Sequence, residues 1–424
     1  MSSSLPDPRS LFTSLFYAAV EAADPERAIR ENLPRRPKGR TIVIGAGKGS
    51  AQMARAFEAA WDGPLEGLVV TRYGYATPCE RIEVIEAAHP VPDAAGLEAS
   101  RRLFGTVAGL TEDDLVVALI SGGGSALLPS PPEGMTLADE IAVNEALLAS
   151  GAPISAMNTV RKHLSTIKGG RLALAAYPAR VVSLVVSDIP GDNPAFVASG
   201  PTVPEASTRQ DAQGIVEAWR LHLTEAAMRH LNSPAADAPS PADPRFGGNE
   251  VHVVASAAIS LEAAAAEARR QGIGAFILSD AMEGESREVA GVHAAIAREI
   301  ALRDRPFRKP ALVLSGGETT VTIRAKGGKG GRNSEFLLAL ALGMDGVAGI
   351  HAFAADTDGI DGSEDNAGAF ADSTSAARMR AAGLDPRAML ARNDAWSAFR
   401  AIDDLFVPGP TGTNVNDLRA ILVL

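Results

Sequence analysis

Residues 315–335 read SGGETTVTIRAKGGKGGRNSE, and the fold predicted for the second half of the chain rests on this segment. An apolar strand, Ala311–Leu314, runs into it, a second strand is predicted over Thr319–Arg324, and an apolar helix is predicted from Phe336. Four glycines lie within residues 327–331, between the second strand and the helix. Glycines leave backbone N–H groups uncovered and accept positive φ angles. The order of strand, glycine-rich turn and helix predicts an α/β fold with an anion site where the helix begins.

The charged residues of this segment allow two interpretations. Lys326, Lys329 and Arg332 add fixed positive charge beside the glycines, and Glu318 could hold a cation. Together these groups suit a phosphate with a metal ion, whereas the alternative is a solvated hairpin turn with incidental charge. A single glycine-rich turn favours the hairpin, but two further loops of similar chemistry elsewhere in the chain favour the anion site.

The first of those loops is Gly45-Ala46-Gly47-Lys48-Gly49-Ser50, between a strand predicted over 41–44 and a helix predicted over 51–61. It resembles the dinucleotide turn G-x-G-x-x-G, but Ser50 replaces the third glycine, and no Lys-Ser or Lys-Thr pair makes it a P-loop. Lys48 stands where the helix dipole disfavours a cation unless an anion binds nearby. Gly45, Gly47 and Lys48 are therefore candidate ligand contacts, with a tight strand-to-helix turn as the alternative.

The second loop, Ser121-Gly122-Gly123-Gly124-Ser125, follows the continuous apolar run Leu115–Ile120, which is typical of a buried parallel strand. Three consecutive glycines favour a close approach of the backbone to a ligand. Another apolar run, Val181–Val186, is followed by Asp188, and open α/β sheets bind ligands at the carboxyl ends of their strands. Asp188 is therefore the leading carboxylate of the first half, with capping of the next turn as the alternative.

Four more basic residues have both a functional and a structural interpretation. His89, in the turn HPVPD, is interpreted as a capping or turn residue, with a role as ligand or base as the alternative. Arg161, Lys162 and Lys168 could face a ligand cleft or form a solvated helix face.

The composition excludes several classes of protein. The chain has 424 residues and a net charge of −11, which disfavours nucleic acid and anionic membranes as partners. Cys79 is the only cysteine, so no disulfide can form within the chain and a reducing compartment fits. The beginning of the sequence has no basic segment typical of a signal peptide, and no run of apolar residues is long enough to span a membrane. The sequence predicts a soluble cytoplasmic protein that acts on small molecules, and a homo-oligomer is possible.

Strands and helices alternate along both halves, which predicts an α/β fold with two α/β/α domains. The first domain, residues 1–235, is predicted to be Rossmann-like with a mostly parallel sheet. A proline-rich linker is predicted over 236–249, and a second α/β domain over 250–424. The glycine-rich loops and carboxylates fall at predicted strand ends in both halves, so we expect the active site in a cleft between the domains.

Ten motifs, which occur in the same order as in the family, give the chain a resemblance to the two-domain glycerate 2-kinases with a C-terminal MOFRL region (here about 310–424). Relatives of these kinases are often labelled hydroxypyruvate reductase. The motifs include VIGAGKGS (43–50), HPVPDAAG (89–96), LISGGGSALLPSP (119–131), SDIPGDNP (187–194), LSGGETTVT (314–322), GGRNSEF (330–336), AADTDGIDG (354–362) and GPTGTNVNDL (409–418). The resemblance implies ATP-dependent phosphorylation of D-glycerate with Mg²⁺, and 2-phosphoglycerate is the expected product. The resemblance also implies a functional role for the lysine of the first glycine-rich loop and for the arginine of GGRN. In this chain these residues are Lys48 and Arg332.

The remaining roles are assigned by position in these loops. Lys48, Arg332 and Asp188 are the candidate catalytic residues, and Asp188, Glu318 and Asp356 are candidates for holding the metal or accepting the hydroxyl proton. The candidate contacts to substrate or nucleotide are Gly45, Gly47, Ser121, Gly122, Gly123, Gly124, Ser125, Asn193, Lys329, Gly330, Gly331, Asn333 and Asn414.

Two other classes of function remain open at this point. One is an NAD(P)H-dependent hydroxypyruvate reductase that uses Gly45–Ser50 as its dinucleotide turn. The predicted strand Leu68–Thr71 is followed by Arg72 rather than by the acidic residue that binds the ribose of NAD, so this alternative is confined to NADP. The other is a noncatalytic module that binds sugar acids, which would not require charged loops in both halves.

Overall fold

The computed structural model describes residues 6–324, 326–413 and 415–424, and these residues form two compact units. Residues 25–254 form the first, here called the parallel-sheet unit. Residues up to 24 together with 255–424 form the second, here called the mixed-sheet unit. In the part of the chain that the structure describes, no helix combines the length and the apolar character needed to cross a bilayer.

The parallel-sheet unit is built around six strands, β1 (Thr41–Ala46), β2 (Glu66–Arg72), β3 (Ile82–Ala87), β4 (Leu115–Ser121), β5 (Arg180–Val186) and β6 (Glu250–Ala255). Its helices are α2 (Pro25–Glu31), α3 (Ser50–Ala60), α4 (Ala94–Thr106), α5 (Gly124–Leu127), α6 (Leu137–Ala149), α7 (Ile154–His163), α8 (Arg171–Ala176), α9 (Arg209–Ala218) and α10 (Glu225–Leu231). The strand order is β3-β2-β1-β4-β5-β6, and β1 pairs in parallel with both β2 and β4. The order reverses between β1 and β4, and a crevice opens beyond the strand ends at such a point. The predicted Rossmann-like α/β fold of this half is confirmed.

Both faces of this sheet are covered by helices, which explains the continuous apolar strands. Along β1, Ile42 and Ile44 pack on one face with Leu103 of α4, while Val43 packs on the other face with Phe57 of α3. Alternate residues of a strand point to opposite faces, so a strand with two covered faces needs apolar residues at every position.

The mixed-sheet unit contains α1 (Pro8–Ala22), α11 (Ala257–Arg270), α12 (Ser286–Arg303), α13 (Arg332–Gly343), α14 (Ser375–Ala381), α15 (Pro386–Ala391) and α16 (Ala395–Arg400). Its strands are β7 (Gly274–Ser279), β8 (Gly284–Glu285), β9 (Ala311–Ser315), β10 (Thr319–Thr320), β11 (Ile350–Asp356), β12 (Gly368–Asp372), β13 (Leu405–Phe406) and β14 (Asp417–Val423). The main sheet has the order β13-β12-β11-β14-β9-β7. Because β9 and β11 both run antiparallel to β14, the ends of β9 and β11 meet the beginning of β14 at one edge.

The division into units corrects the predicted domain boundaries. Helix α1, which was assigned to the first domain, packs its apolar face, including Phe12 and Phe16, against Phe353 of β11 in the mixed-sheet unit. Strand β6 belongs to the first sheet, so the boundary falls after Val254 and the segment 236–249 is not a linker between domains. Phe246 of that segment packs on the core of the parallel-sheet unit, which a composition argument based on prolines could not reveal.

Two predictions for the segment 315–335 are wrong in detail. The strand expected over Thr319–Arg324 is confined to β10, which pairs with β8. Helix α13 begins at Arg332 rather than at Phe336, because the Asp361 carboxylate accepts hydrogen bonds from the backbone N–H groups of Asn333 and Ser334 at 2.9 and 2.8 Å. Arg332 is therefore the first residue of a helix rather than part of a turn.

Candidate active site

The two glycine-rich loops of the parallel-sheet unit lie side by side, because they follow the neighbouring strands β1 and β4. The backbone N–H of Lys48 donates to the carbonyl oxygen of Gly122 at 2.8 Å, and that of Gly49 donates to Oγ of Ser121 at 3.0 Å. Gly47 has a φ of +141°, and a β-carbon at this position would overlap Ser121. The first loop is therefore packed directly onto the second.

The backbone donors of the first loop are all used within the protein. The acceptors are the carbonyl of Val70 for Gly47, the carbonyl of Gly122 for Lys48, Oγ of Ser121 for Gly49 and the carbonyl of Gly47 for Ser50. A β-carbon at Gly45 would overlap the carbonyl of Leu119 in β4. The structure thus gives Gly45 and Gly47 a packing role, and only the side chain of Lys48 is available from this loop for a ligand.

The second loop differs from the first in how its backbone N–H groups are used. In the described part of the chain, the backbone N–H groups of Gly122, Gly123 and Gly124 donate to no protein acceptor. Gly123 has a φ of +79°, which favours glycine, and α5 begins at the next residue. Successive unpaired N–H groups at a turn before a helix form a concave site for an anion. The Ser125 hydroxyl instead lies 2.8 Å from that of Ser199, which gives it a partner inside the protein.

Two basic side chains cover the second loop. A β-carbon at Gly123 would lie 3.1 Å from Nε2 of His89 and 3.1 Å from Cε of Lys48, so both side chains lie against this glycine. Burial lowers the pKa of His89, and the nearby charges of Lys48 and Arg72 lower it further. His89 is therefore a neutral imidazole at pH 7 in a locally basic site. Its position beside the loop favours the ligand interpretation of this histidine over a simple turn role.

Asp188 is also at this edge, as its position after β5 predicts. A β-carbon at Gly122 would overlap the Asp188 carboxylate, so Asp188 lies directly against the second loop. Asn193 is further along the same segment, and its Oδ1 accepts a hydrogen bond from the backbone N–H of Ala195 at 3.1 Å. This contact is that of a residue stabilising its own turn, whereas Asp188 lies beside the unpaired N–H groups.

The other basic residues considered from the sequence have structural partners. Nζ of Lys168 donates to Glu140 at 2.8 Å and to the carbonyl of Leu128 at 3.0 Å, and the Lys168 side chain is 2% exposed. Lys162 is bonded in a similar way to Glu205. A cleft-facing position and a solvated helix face are therefore both wrong for these two lysines, because both are buried and each pairs with a carboxylate.

In the mixed-sheet unit, Arg332 is surrounded by three carboxylates at the sheet edge. Its Nε donates to Asp417 at 2.8 Å, its Nη1 to Glu318 at 2.9 Å and its Nη2 to Asp356 at 2.6 Å. Burial by itself lowers the pKa of Arg332, but the charges of Asp417, Asp356 and Glu318 outweigh it and the pKa is raised. Arg332 is therefore always charged, and its planar group is fixed in one orientation.

The carboxylates around Arg332 differ in their surroundings. Burial and the neighbouring charge of Asp417 raise the pKa of Asp356 to about 8, although Arg332 opposes this effect. Asp417 is wholly buried and also accepts from Nδ2 of Asn333 at 2.7 Å and from Arg419. Glu318 is about half exposed. Asp417 thus holds Arg332 in place from the buried side, and it also binds Asn333.

Sequence reasoning left three residues of these sites without a functional assignment. Asp361 and Asp417 stand in the motifs AADTDGIDG and GPTGTNVNDL, but their partners, Asn333 and Arg332, are distant in sequence. His89 was considered chiefly as a turn residue. The sequence did contain one indication that these three residues matter, because each of them lies inside a motif shared with the family.

The mixed-sheet unit contains a cavity of about 460 Å³ beside Arg332. The lining residues include the glycines of the segment 327–331 and a short apolar wall, and they are Thr319, Val321, Ile323, Lys326, Gly327, Gly328, Gly330, Gly331, Arg332, Glu335, Asp356, Gly362, Asn393 and Ala395. Gly330 and Gly331, which were candidate ligand contacts, are thus at the cavity. Lys329 instead pairs with Glu364 at 3.2 Å and lies over the ring of Trp396. The candidate Asn414 lies outside the described residues.

The candidate metal ligands do not form a metal site by themselves. Glu318 and Asp356 are both bonded to Arg332, whose charge replaces that of a cation, and Asp188 belongs to the other unit. Within the described ranges, no group of three histidine, cysteine or acidic side chains is arranged to hold a metal ion. The residues present therefore do not fit a metal held by protein ligands alone.

Comparison with known proteins gives consistent matches over nearly the whole chain. A domain of unknown function, DUF4147, matches residues 11–232, and the MOFRL family matches residues 311–417. The D-glycerate 2-kinase of Thermotoga maritima is 38% identical over 424 residues, covering 99% of this chain and 100% of the relative. A protein of Agrobacterium vitis named "Putative hydroxypyruvate reductase" is 54% identical over 419 residues, covering 98% of this chain and 94% of the relative. The crystal structure of a glycerate kinase from Thermotoga maritima matches with a TM-score of 0.89 at 38% identity, covering 98% of this chain and 99% of that one.

Proposed function

The chain belongs to the family of two-domain glycerate kinases with DUF4147 and MOFRL regions, and we propose that it transfers a phosphoryl group from ATP to D-glycerate. The proposed product is 2-phosphoglycerate, the product of a kinase that acts on the 2-hydroxyl group. The substrates are small molecules, and we propose a cytoplasmic enzyme without nucleic acid or membrane partners, in keeping with its net charge of −11.

One observation carries the choice of a kinase over a reductase. All four backbone N–H groups of the turn Gly47–Ser50 already donate to protein oxygens. In a dinucleotide-binding fold this turn must receive the pyrophosphate of the cofactor. Here a dinucleotide would have to break the contacts that join β1 to the loop after β4. The turn therefore supports a kinase that uses the Lys48 side chain, rather than a reductase that uses the turn itself.

The proposed roles follow from where charge is available. Phosphoryl transfer requires in-line positioning and neutralisation of phosphate charge more than covalent chemistry. Lys48 and the unpaired N–H groups of Gly122–Gly124 would neutralise an anionic group of the substrates, and Arg332 would stabilise charge on the transferred phosphoryl group. The Asp188 carboxylate, beside those N–H groups, would accept the proton of the attacking hydroxyl.

Magnesium is proposed to accompany ATP as the counter-ion of its phosphates. Mg²⁺ commonly binds through substrate phosphates and water with one or two carboxylates, rather than in an all-protein cage. This mode agrees with the lack of a metal cluster among the described residues. None of the roles given to Lys48, Arg332 and Asp188 depends on the position of the ion.

A direct assay tests the function and the position of the phosphoryl group together. Purified protein is given D-glycerate and Mg-ATP, and the product is passed to enolase with and without phosphoglycerate mutase. We expect ADP release, and enolase turnover without the mutase, because enolase accepts only 2-phosphoglycerate. Enolase turnover that requires the mutase would assign the 3-hydroxyl instead.

The name of the Agrobacterium vitis relative justifies a second assay, in which the protein is given hydroxypyruvate with NADPH or NADH. Arg72, the last residue of β2, could face the 2′-phosphate of NADP, although it is stacked on Tyr75 at 3.6 Å. Nicotinamide oxidation at a turnover equal to or above ADP release would overturn the kinase proposal.

A further inference from the structure

We propose that the cavity of the mixed-sheet unit is the nucleotide site, with the base of ATP against the apolar wall of Val321, Ile323 and Ala395. The phosphates would lie along the glycines of the segment 327–331, toward Lys326 and Arg332. This inference rests on the proposed kinase function and assigns one of its two substrates to one unit. A Rossmann-like fold would suggest the opposite assignment, with the nucleotide on the parallel sheet.

The volume of the cavity fits a nucleotide and exceeds what glycerate needs. At about 460 Å³ the cavity lies within the usual range of about 300–1,000 Å³ for sites of drug-sized ligands. Glycerate occupies the volume of only a few water molecules, each about 30 Å³. A site for this small acid would therefore leave most of the cavity empty.

The lining of the cavity has the two parts that a nucleotide requires. Ile323 is 71% exposed, the highest value among the large apolar side chains that the structure describes, and it faces the cavity with Val321 and Ala395. An exposed apolar wall of this kind gains free energy when a flat aromatic group covers it. Gly327 and Gly330 have φ values of +90° and +131°, which only glycine adopts readily, and their backbone N–H groups donate to no acceptor in the described part of the chain.

One basic side chain of the cavity, that of Lys326, is available to a phosphate group. The two acidic lining residues, Glu335 and Asp356, are each paired with an arginine, Arg287 and Arg332 respectively. Lys326 has no ion pair within the described ranges of the chain. The three carboxylates around Arg332 leave no excess of positive charge there, so Lys326 is the cation of the cavity that is available to pair with a phosphate.

The parallel-sheet unit offers a site of a different kind. Its first glycine-rich turn has no unpaired backbone donor, and its second loop presents three N–H groups beside His89 and Lys48 without an apolar wall of comparable exposure. These groups suit the carboxylate and hydroxyl groups of a small sugar acid. The two substrates are thus assigned to two sites with matching chemistry.

The test is the affinity of the full-length protein for ADP, measured by isothermal titration calorimetry in matched pairs of variants. Ile323→Asp removes the apolar wall, and Val292→Asp makes the same change at a position on α12 that is 60% exposed and outside the cavity. Lys326→Glu reverses the charge in the cavity, and Lys38→Glu does so at an exposed lysine of the parallel-sheet unit. All four positions are exposed, so the folded state is expected to persist.

We expect Ile323→Asp and Lys326→Glu to weaken ADP binding at least about tenfold, and both controls to bind as the wild type does. Lys48→Ala is expected to keep the ADP affinity, because Lys48 lies at the proposed sugar-acid site and does not line the cavity. If the wild type phosphorylates glycerate while both cavity variants keep its ADP affinity, the site assignment is overturned and the kinase function stands. If the wild type neither binds ADP nor phosphorylates glycerate, both proposals fall.

Discussion

Replacing Arg332 by lysine keeps the charge but removes the planar fork, and the geometry of the site predicts a loss of both activity and stability. The three nitrogens of Arg332 donate to Asp417, Glu318 and Asp356, which surround the guanidinium group on different sides. A lysine ammonium has one nitrogen atom, so it cannot reach three separated carboxylates at once. Asp417 keeps Asn333 and Arg419 as partners, so Asp356 is the buried acid that is then left without its arginine.

The expected magnitudes follow from the burial of that acid. The side chain of Asp356 is 7% exposed, and leaving a buried polar group without one hydrogen-bond partner costs about 1–3 kcal/mol. For a unit of this size, 1 kcal/mol corresponds to about 2–4 °C, so we expect the melting temperature to fall by roughly 2–12 °C. Loss of the correctly placed donor for the phosphoryl group is expected to lower kcat by about 10²–10³.

Arg378→Lys is the matched control for Arg332→Lys. Arg378 also forks onto a wholly buried carboxylate, Asp404, in the same unit, but it does not line the cavity. Melting temperature and kcat/KM for D-glycerate are measured for both variants, with activity normalised to folded protein. We expect both variants to be less stable, but only Arg332→Lys to lose activity. Wild-type kcat/KM in Arg332→Lys would show that Arg332 is structural and refute the argument.

Three more changes are expected to separate catalytic from structural residues. Lys48→Ala should lower kcat by about 10²–10³ with an unchanged melting temperature, and near wild-type turnover would exclude its role. Lys168→Met should reduce the free energy of unfolding in urea by about 3–5 kcal/mol, because Glu140 is left buried and unpaired, while activity per folded molecule persists; a stable variant would contradict this. Burial lowers the pKa of His293 below its usual 6.5, and the charge of Arg419 adds to this shift. The unfolded chain therefore binds the proton more readily, so stability should be lost as pH falls through 6.5, and His293→Gln should weaken that dependence in urea titrations at pH 7.5 and 5.5.

The sequence predicted the strands that position the site because their signal is local. Leu115–Ile120 is apolar at every position and Val181–Val186 at every position but Ser183, and these runs became β4 and β5, with the ligand-side loops at their carboxyl ends. The position of Asp188 followed from this rule of α/β sheets alone. These loops lie close together because neighbouring parallel strands end at the same edge of the sheet.

Other features could not be predicted because they depend on partners that are distant in sequence. The first and second loops have the same glycine-rich signal, yet the backbone N–H groups of residues 47–50 are bonded within the protein, whereas those of 122–124 have no acceptor among the described residues. Similarly, the carboxylates Glu318 and Asp356 were read as metal ligands, whereas both are bonded to Arg332. A pattern identifies which groups could bind a cation but not which cation the fold supplies.

The position of α1 has a consequence for the synthesis of the protein. Its apolar face, with Phe12 and Phe16, is completed by strands that include β14, almost the whole length of the chain later. At about 5–20 residues per second, a ribosome needs roughly 20 to 80 s to make the residues in between. During that time residues 25–254 can fold as a continuous segment, and α11, the first helix to pack against α1, is made only after them. The nascent chain thus keeps part of the apolar face of α1 exposed, as a segment suited to chaperone binding, until β14 has been made.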